Sequence, residues 1–157
     1  YAYGFETPSN IQKTAIPIIL QGKDIIAQSQ SGTGKTGAFG LPSIHLTHIE
    51  EKKTQTLVLC PTRELCIQIA RDLINFSKYI DGLNITAVYG GASIDTQINA
   101  LRKGAHIVIG TPGRTMDLIR RKKLLLADVK RIVLDNKLLH NFDVPPKKVD
   151  NYLVFDF

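Results

Sequence analysis

The chain has 157 residues, a net charge of +6 and a hydrophobic fraction of 43%, which together describe one ordinary globular domain. No apolar run approaches the roughly 20 residues of a membrane-spanning helix, and the first residues lack the pattern of a secretory signal. The surplus of positive charge agrees with a polyanionic partner such as nucleic acid or nucleotide, although an ordinary basic domain would show it too.

Short apolar runs alternate with amphipathic segments along the chain. Runs rich in β-branched residues predict five strands, at 24–27, 56–60, 84–89, 106–109 and 131–135. The segments between them predict helices that begin near residues 8 and 35 and that cover 63–79, 93–101 and 114–120. This alternation indicates an α/β fold, a mainly parallel sheet with helices on both faces, which binds ligands beyond the carboxyl ends of its strands.

The two cysteines, Cys60 and Cys66, form neither a Cys-x-x-Cys pair nor a disulfide framework. Both fall in apolar segments and are predicted to be buried thiols of a reducing compartment. We therefore expect a cytoplasmic protein, with the nucleus as the alternative address, and we expect a monomer without a membrane contact.

A glycine-rich loop follows the first predicted strand and opens a helix. Its sequence is Ser29-Gln30-Ser31-Gly32-Thr33-Gly34-Lys35-Thr36. Backbone N–H groups of such a loop, together with the dipole of the helix behind it, bind phosphate. Lys35 is expected to neutralise the β- and γ-phosphates of a nucleotide, and the Thr36 hydroxyl to ligate Mg²⁺. The strict pattern has glycine where Ser29 stands, and the alternative is a turn that only caps a helix.

Five short motifs occur in a fixed order over residues 1 to about 135. In chain order they are the segment 4–12, the loop at 27–36, the segment 61–65, the pair Gly90-Gly91 and the tetrapeptide 111–114. They resemble, respectively, the Q motif, phosphate loop, motif Ia, paired glycines and motif Ib of DEAD-box RNA helicases, and they occur in the order of that family. The resemblance implies that residues 1–135 are the RecA-like, ATP-binding domain of such an enzyme, a P-loop NTPase fold, and that residues 136–157 are a divergent tail.

The resemblance implies binding roles for these motifs. ATP with Mg²⁺ is the implied cofactor, held by Phe5, Thr7 and Gln12 and by the loop residues Ser31, Gly32, Thr33, Gly34, Lys35 and Thr36. The amide of Gln12 would both donate to and accept from the adenine edge, although it could instead be a solvated helix residue. The implied contacts of the RNA backbone are Pro61, Thr62, Arg63, Gly90, Gly91, Thr111, Pro112, Gly113 and Arg114. Without the phosphate loop, these segments would be simple capped helix starts.

The fifth predicted strand ends at Asp135, where the family has Asp-Glu-Ala-Asp and this chain continues with Asn136, Lys137 and Leu138. Asp135 is the implied ligand of Mg²⁺ through water, and Lys35 and Asp135 are the implied catalytic residues. The glutamate that positions and deprotonates the attacking water is absent, whether the motif is aligned without a gap or with a two-residue deletion. An asparagine hydrogen-bonds a water but does not accept its proton.

The tail and the partners leave several alternatives open. Residues 141–145 and Tyr152 are similar to a strand and turn of the family's second domain, so truncation, internal deletion, joining of separate pieces and chance similarity all stay open. The implied partners are single-stranded or duplex RNA and a second RecA-like domain that is missing from this chain. The basic run 120–123 is predicted to cover a helix C-terminus, with added RNA affinity as the alternative. The competing functions are another phosphate-loop enzyme, such as a nucleotide kinase or DNA-directed motor, and a catalytically silent binding fragment.

Overall fold

The computed structural model describes residues 7–28, 32, 34–135, 138 and 151–155. Within these ranges five helices alternate with five strands, and a sixth strand follows. The elements are α1 (Asn10–Leu20), β1 (Ile25–Ala27), α2 (Lys35–His45), β2 (Thr56–Leu59), α3 (Arg63–Phe76), β3 (Ile85–Val88), α4 (Ile94–Arg102), β4 (Ile107–Gly110), α5 (Pro112–Arg120), β5 (Arg131–Asp135) and β6 (Asn151–Phe155). In this part of the chain no helix is long and apolar enough to cross a bilayer.

All six strands form one sheet in the order β1-β6-β5-β2-β4-β3, and every neighbouring pair is parallel. The predicted α/β fold with a parallel sheet is therefore confirmed. The helix and strand limits differ from the predicted ones by a few residues at the ends, most at the end of α3, because helix ends carry the weakest sequence signal.

Two apolar clusters fill the space between the sheet and its two helical layers. Val58, with Ile107 and Ile109, faces the cluster formed with α1, α2 and α3. Leu57 and Leu59 face the opposite cluster, which α4 and α5 cover. Neighbouring residues of β2 thus point to opposite faces, as the two-residue period of a strand requires, and both faces are buried. This explains why the strands are continuous apolar runs.

The strand β6 comes from the segment that we expected to be a divergent tail. It lies between β1 and β5, with Phe155 in register with Ala27 on one side and Asp135 on the other. Leu153, Val154 and Phe155 are buried, and the Phe155 ring lies 5.3 Å from that of Phe39 in α2. Three successive apolar residues suit a strand that is covered on both faces. The domain boundary at residue 135 stays a prediction, but residues 151–155 belong to the same sheet.

Candidate functional site at the carboxyl edge of the sheet

Parallel pairing brings the carboxyl ends of all the strands to one edge of the sheet. The strand order divides this edge into two halves. The glycine-rich loop and Asp135 lie on the half formed by β1, β6 and β5. Residues 60–63, 89–92 and 111–114 follow β2, β3 and β4 on the other half. Segments that are distant in sequence therefore form one continuous candidate site.

The start of α2 is arranged to receive an anion. Gly32 and Gly34 both have the left-handed backbone conformation, at φ 78° and 84°, which favours glycine and lets the loop turn into the helix. Among the described residues, no side chain caps this helix, and its first turn holds no acidic residue. Lys35 and Thr36 are the first two residues of α2 and are half-buried. The N–H groups and positive dipole end of α2 thus face the loop, as a phosphate site requires.

Gln12 connects α1 to this loop. Its side chain is only 4% exposed, and its Nε2 donates a hydrogen bond to the backbone oxygen of Gly34 at 3.1 Å. Its Oε1 accepts one from the Ser9 N–H at 3.0 Å, which closes a capping box at the start of α1. The alternative of a solvated Gln12 is therefore wrong. A Cβ on Gly34 would lie 2.5 Å from Nε2, and the left-handed backbone at φ 84° disfavours other residues, so the position favours glycine.

The structure describes only some of the remaining predicted nucleotide contacts. Thr7 is exposed and lies two residues before the cap of α1. Phe5, Ser31 and Thr33 lie outside the described residues. One amide hydrogen and one carbonyl lone pair of Gln12 remain for a ligand, since a glutamine side chain has two of each. Its adenine contact stays a prediction.

Asp135 ends β5 on the same half of the edge. Its side chain is fully buried. The register aligns Asp135 with Phe155 and Phe155 with Ala27, so two strand spacings, about 10 Å, separate Asp135 from the start of the glycine-rich loop. The two predicted metal ligands, Thr36 and Asp135, therefore come from neighbouring parts of one half-site. Asn136 and Lys137 lie outside the described residues.

Cys60 and Cys66 are both buried free thiols, as predicted. The Cys66 thiol donates to the Ile109 oxygen at 3.2 Å, and the Cys60 thiol donates to the Gly110 oxygen at 3.7 Å. The neighbouring Cys66 side chain, burial, and the negative charge of Asp135 together raise the pKa of Cys60 well above its usual range. Cys60 therefore stays protonated and acts as a packing residue beside Asp135.

Arg63 joins the loop after β2 to the loop after β3. Thr62 caps α3 by accepting a hydrogen bond from the Leu65 N–H at 3.2 Å. Arg63 is the first residue of α3, and its side chain is exposed. The Arg63 guanidinium lies over the Tyr89 ring, 5.0 Å from its centroid, and its Nη1 is 3.2 Å from where a Cβ of Gly91 would be. A larger residue at 91 would crowd the guanidinium, so Gly91 leaves room for this cation at the edge.

Arg114 holds the same glycine loop from the other side. Its Nη1 and Nη2 both donate to the Ala92 oxygen at 3.2 Å, and Nη1 also donates to Gln97 Oε1 at 2.9 Å. Gln97 in turn donates to the Tyr89 oxygen at 3.1 Å and is 6% exposed. Arg114 was expected to contact the RNA backbone, and Gln97 was not among the expected site residues. The signal for Gln97 was a polar residue within the apolar stripe of α4.

The other predicted backbone contacts lie along this half of the edge. Gly90 and Gly113 are exposed, and Pro61, Thr111 and Pro112 are half-buried. Thr111 is the N-cap residue before α5, and in the described part of the chain its side chain makes no capping hydrogen bond. The loops thus present backbone groups, hydroxyls and the exposed Arg63 cation, which suits contact with a sugar-phosphate chain.

Comparison with known proteins identifies related chains. A family model described as DEAD/DEAH box helicase matches residues 9–142. The chain is 52% identical over 132 residues to the DEAD-box ATP-dependent RNA helicase CshA of Streptococcus pneumoniae and 47% identical to the ATP-dependent RNA helicase DeaD of Escherichia coli. The matched part is 84% of this chain but only 25% and 21% of those relatives.

Solved structures agree with the family match. The fold is similar to that of a DEAD box protein from Methanococcus jannaschii, with a TM-score of 0.84 at 37% identity over 99% of this chain and 45% of that one. It is similar to that of a hypothetical ATP-dependent RNA helicase from Sulfolobus tokodaii, with a TM-score of 0.85 at 28% identity over 99% of this chain and 47% of that one. The described fold is thus about half of these solved chains.

Proposed function

The chain belongs to the DEAD/DEAH box helicase family, and from that premise we propose that it is the ATP-binding and RNA-contacting RecA-like domain of an ATP-dependent RNA helicase. The observation that carries the proposal is the division of one sheet edge into two halves. One half holds a glycine-rich loop, an uncapped helix start and a buried carboxylate. The other holds exposed loops with a cation and paired glycines.

The first half would bind ATP with Mg²⁺. The N–H groups at the start of α2 and the charge of Lys35 would bind the phosphates, and Gln12 would contact the base. Thr36 would ligate the metal directly and Asp135 through water. The metal-bound triphosphate supplies a phosphoryl group for transfer to water. The position of Gln12, which projects from α1, contacts the loop at Gly34 and is buried against the first turn of α2, supports its role in nucleotide selection.

The second half would bind single-stranded RNA through its backbone. Arg63 and the hydroxyls of Thr62 and Thr111 would contact phosphate oxygens, and Gly90, Gly91 and Gly113 would allow the chain to approach closely. These loops expose few groups that could distinguish bases, so binding would be independent of RNA sequence. Arg114 would act mainly by positioning the glycine loop, with its remaining N–H groups available to phosphate.

In the whole enzyme, hydrolysis would be coupled to local separation of RNA strands. The chain spans about a quarter of its curated relatives, and a second RecA-like domain would supply the other wall of the cleft. The absent glutamate favours a second candidate for this chain by itself, a catalytically silent binding domain. Residues 136–140, Asn-Lys-Leu-Leu-His, contain no carboxylate to act as the general base.

Two titrations test the proposal. Calorimetry with ATP and Mg²⁺ should show saturable binding, and the affinity for GTP should be lower than that for ATP. Fluorescence anisotropy with labelled single-stranded RNAs should give similar affinities for a uridine homopolymer and a mixed sequence. Tighter binding of GTP, or selective binding of duplex DNA, would support another phosphate-loop enzyme. No nucleotide binding at millimolar ATP would overturn the proposal.

A further inference from the structure

A cavity of about 150 Å³ lies at the amino edge of the sheet, opposite the edge that carries the motif loops. Three connections line it, those that precede β2, β4 and β5. Lys52 and Lys53 come from the first, the turn at Gly104 forms the second, and Lys123 and Asp128 come from the third. The strands β2 and β4 have four residues each, so about 13 Å of sheet separates this cavity from the motif edge.

The positive charge of the chain is concentrated around this cavity. The three connections, at 46–55, 103–106 and 121–130, contain seven basic and three acidic residues. Two other connections at this end lie wholly within the described residues, 21–24 and 77–84, and each contains one lysine and one aspartate and is neutral. The helices α4 and α5 also end here, with Arg102 and Arg120 as their last residues. Among the connections that the structure describes at this end, the excess positive charge thus lies in the three that line the cavity.

Packing brings these lysines together even though they repel one another. At Gly104, with φ 94°, an added Cβ would lie 2.8 Å from the Cβ of Lys52, so the two connections are in close contact. Lys122 has the left-handed conformation, φ 57°, that glycine usually takes after a helix, and this turn directs the chain from α5 into the cavity wall at Lys123. A non-glycine residue in this conformation is strained and often marks a functional segment.

The lining combines cations with aliphatic surface. Leu101 and Leu125 line the cavity beside the lysines, and Leu125 is 65% exposed. Lys53 is bonded to Asp128 at 3.5 Å, but both side chains are exposed, at 61% and 39%, and such a surface ion pair exchanges readily for another anion. A sugar-phosphate chain matches this lining better than free phosphate does, because its ribose covers the leucines while its phosphates contact the lysines.

We propose that the cavity formed by Lys52, Lys53, Lys123 and Leu125 is a second RNA-backbone site, at the end of the domain opposite the motif loops. It rests on the proposed function only in taking RNA as the nucleic acid. Its contacts are charge-based and independent of sequence. It increases the affinity of the domain for RNA that extends past the motif edge.

Anisotropy titrations of the whole 157-residue chain with a labelled single-stranded RNA test this site. The triple substitution Lys52→Gln, Lys53→Gln, Lys123→Gln should lower affinity about tenfold or more at low salt. The slope of log affinity against log salt should become shallower by about 0.7 for each phosphate that the variant no longer neutralises. The matched control, Lys23→Gln, Arg71→Gln, Lys78→Gln, removes the same charge from exposed positions outside the cavity and should leave the slope unchanged.

A second variant distinguishes an effect of charge on RNA affinity from an effect of lost folding stability. Asp128→Asn removes the anion in the lining and should tighten RNA binding several-fold, a gain that loss of folding does not produce. Arg63→Ala serves as the variant of the motif edge. If only Arg63→Ala weakens binding, the second site is wrong while the proposed function stands. If only the lysine variant weakens it, the motif-edge proposal fails and the second site stands.

Competition at constant ionic strength identifies the ligand. Polyuridylate should displace the labelled RNA from an Arg63→Ala chain, whereas inorganic phosphate should not. Displacement by inorganic phosphate at the same phosphate concentration would assign the cavity to a free anion. Equal displacement by polyglutamate of the same charge would assign it to an acidic protein segment, and either result would overturn the proposal.

Discussion

Lys35 is the first residue of α2 and follows the left-handed Gly34 directly. The Lys35→Ala substitution removes the charge that is expected to face the phosphates, and a charge-assisted hydrogen bond contributes about 1.5–3 kcal/mol. ATP affinity measured by calorimetry should therefore fall about tenfold or more. Lys78→Ala, at an exposed position beyond α3, should leave it unchanged. Equal affinity in the Lys35 variant would contradict the phosphate-loop assignment.

Gln12 shows how one side chain carries both a structural and a binding role. Gln12→Ala should narrow the difference between ATP and GTP affinity, because the variant has no amide to distinguish the two base edges. It also leaves the Ser9 N–H and the Gly34 oxygen without their partner, so thermal unfolding should show a destabilisation of about 1–3 kcal/mol. Equal binding of ATP and GTP by the unsubstituted chain would show that Gln12 does not select the base.

Gln97 and Arg114 form one hydrogen-bonded unit behind the glycine loop. We expect Gln97→Ala to weaken RNA binding although Gln97 is buried, because the Tyr89 oxygen loses the hydrogen bond from Gln97 and the Arg114 guanidinium keeps only its bonds to the Ala92 oxygen. In a double-mutant cycle, Gln97→Ala and Arg114→Ala should be non-additive by about 0.5–3 kcal/mol. Additive effects on RNA affinity would mean that Arg114 acts only through its own phosphate contact.

At the scale of elements, β6 decides whether the nucleotide half of the edge is formed. It separates β1 from β5 by one strand and so sets the distance between the glycine-rich loop and Asp135. The motifs that precede it in sequence do not specify this strand, because pairing between β1 and residues more than a hundred positions later is not a local property.

The place of β6 in the core predicts the effect of truncating Phe155. Phe155 is fully buried against Phe39, so Phe155→Ala should lower the free energy of unfolding by about 3–5 kcal/mol. Tyr79→Ala, at a residue that is 80% exposed, is the matched control and should change it little. Denaturant melts compare the two variants. Similar small decreases for both would place residues 151–155 outside the folded core.

At the scale of the whole molecule, ATP binding should be retained although ATP turnover is lost. The chain should bind ATP with Mg²⁺ but should neither hydrolyse it at a helicase rate nor unwind RNA. No carboxylate follows Asp135 through residue 140, and a general base contributes about 10²–10⁴-fold. The second domain would supply an arginine finger, which contributes about 10³–10⁵-fold in related enzymes.

A steady-state ATPase assay with and without RNA measures this. Changing residues 136–138 to Glu-Ala-Asp should not restore unwinding unless the second domain is also supplied. Unwinding requires ATP turnover, and the absence of either the glutamate or the second domain should leave turnover hard to detect. Robust RNA-stimulated hydrolysis by the unchanged chain would show that the general base lies elsewhere.

Local pattern was sufficient for most of the fold and for the glycine-rich loop, whereas the roles of the other site residues were implied by the resemblance to DEAD-box helicases and stay predictions. The predicted strands, the helices between them and the loops at 28–36, 61–63, 90–91 and 111–114 depend on periodicity, glycine positions and helix caps, which are properties of neighbouring residues. Parallel pairing then implied that all the loops that follow strands lie at the same edge of the sheet. These features follow from the sequence because each of them is specified within about ten residues.

Only the tertiary structure decided which distant groups meet. It assigned β6 to the gap between β1 and β5, bonded Gln97 to Arg114 behind the glycine loop, and brought Lys52, Lys53 and Lys123 to one cavity. The basic run 120–123, predicted as a helix end, contributes to that cavity through its last residue. Each of these contacts depends on the order of strands in the sheet, which is set by the packing of two apolar clusters against both faces and not by any segment alone.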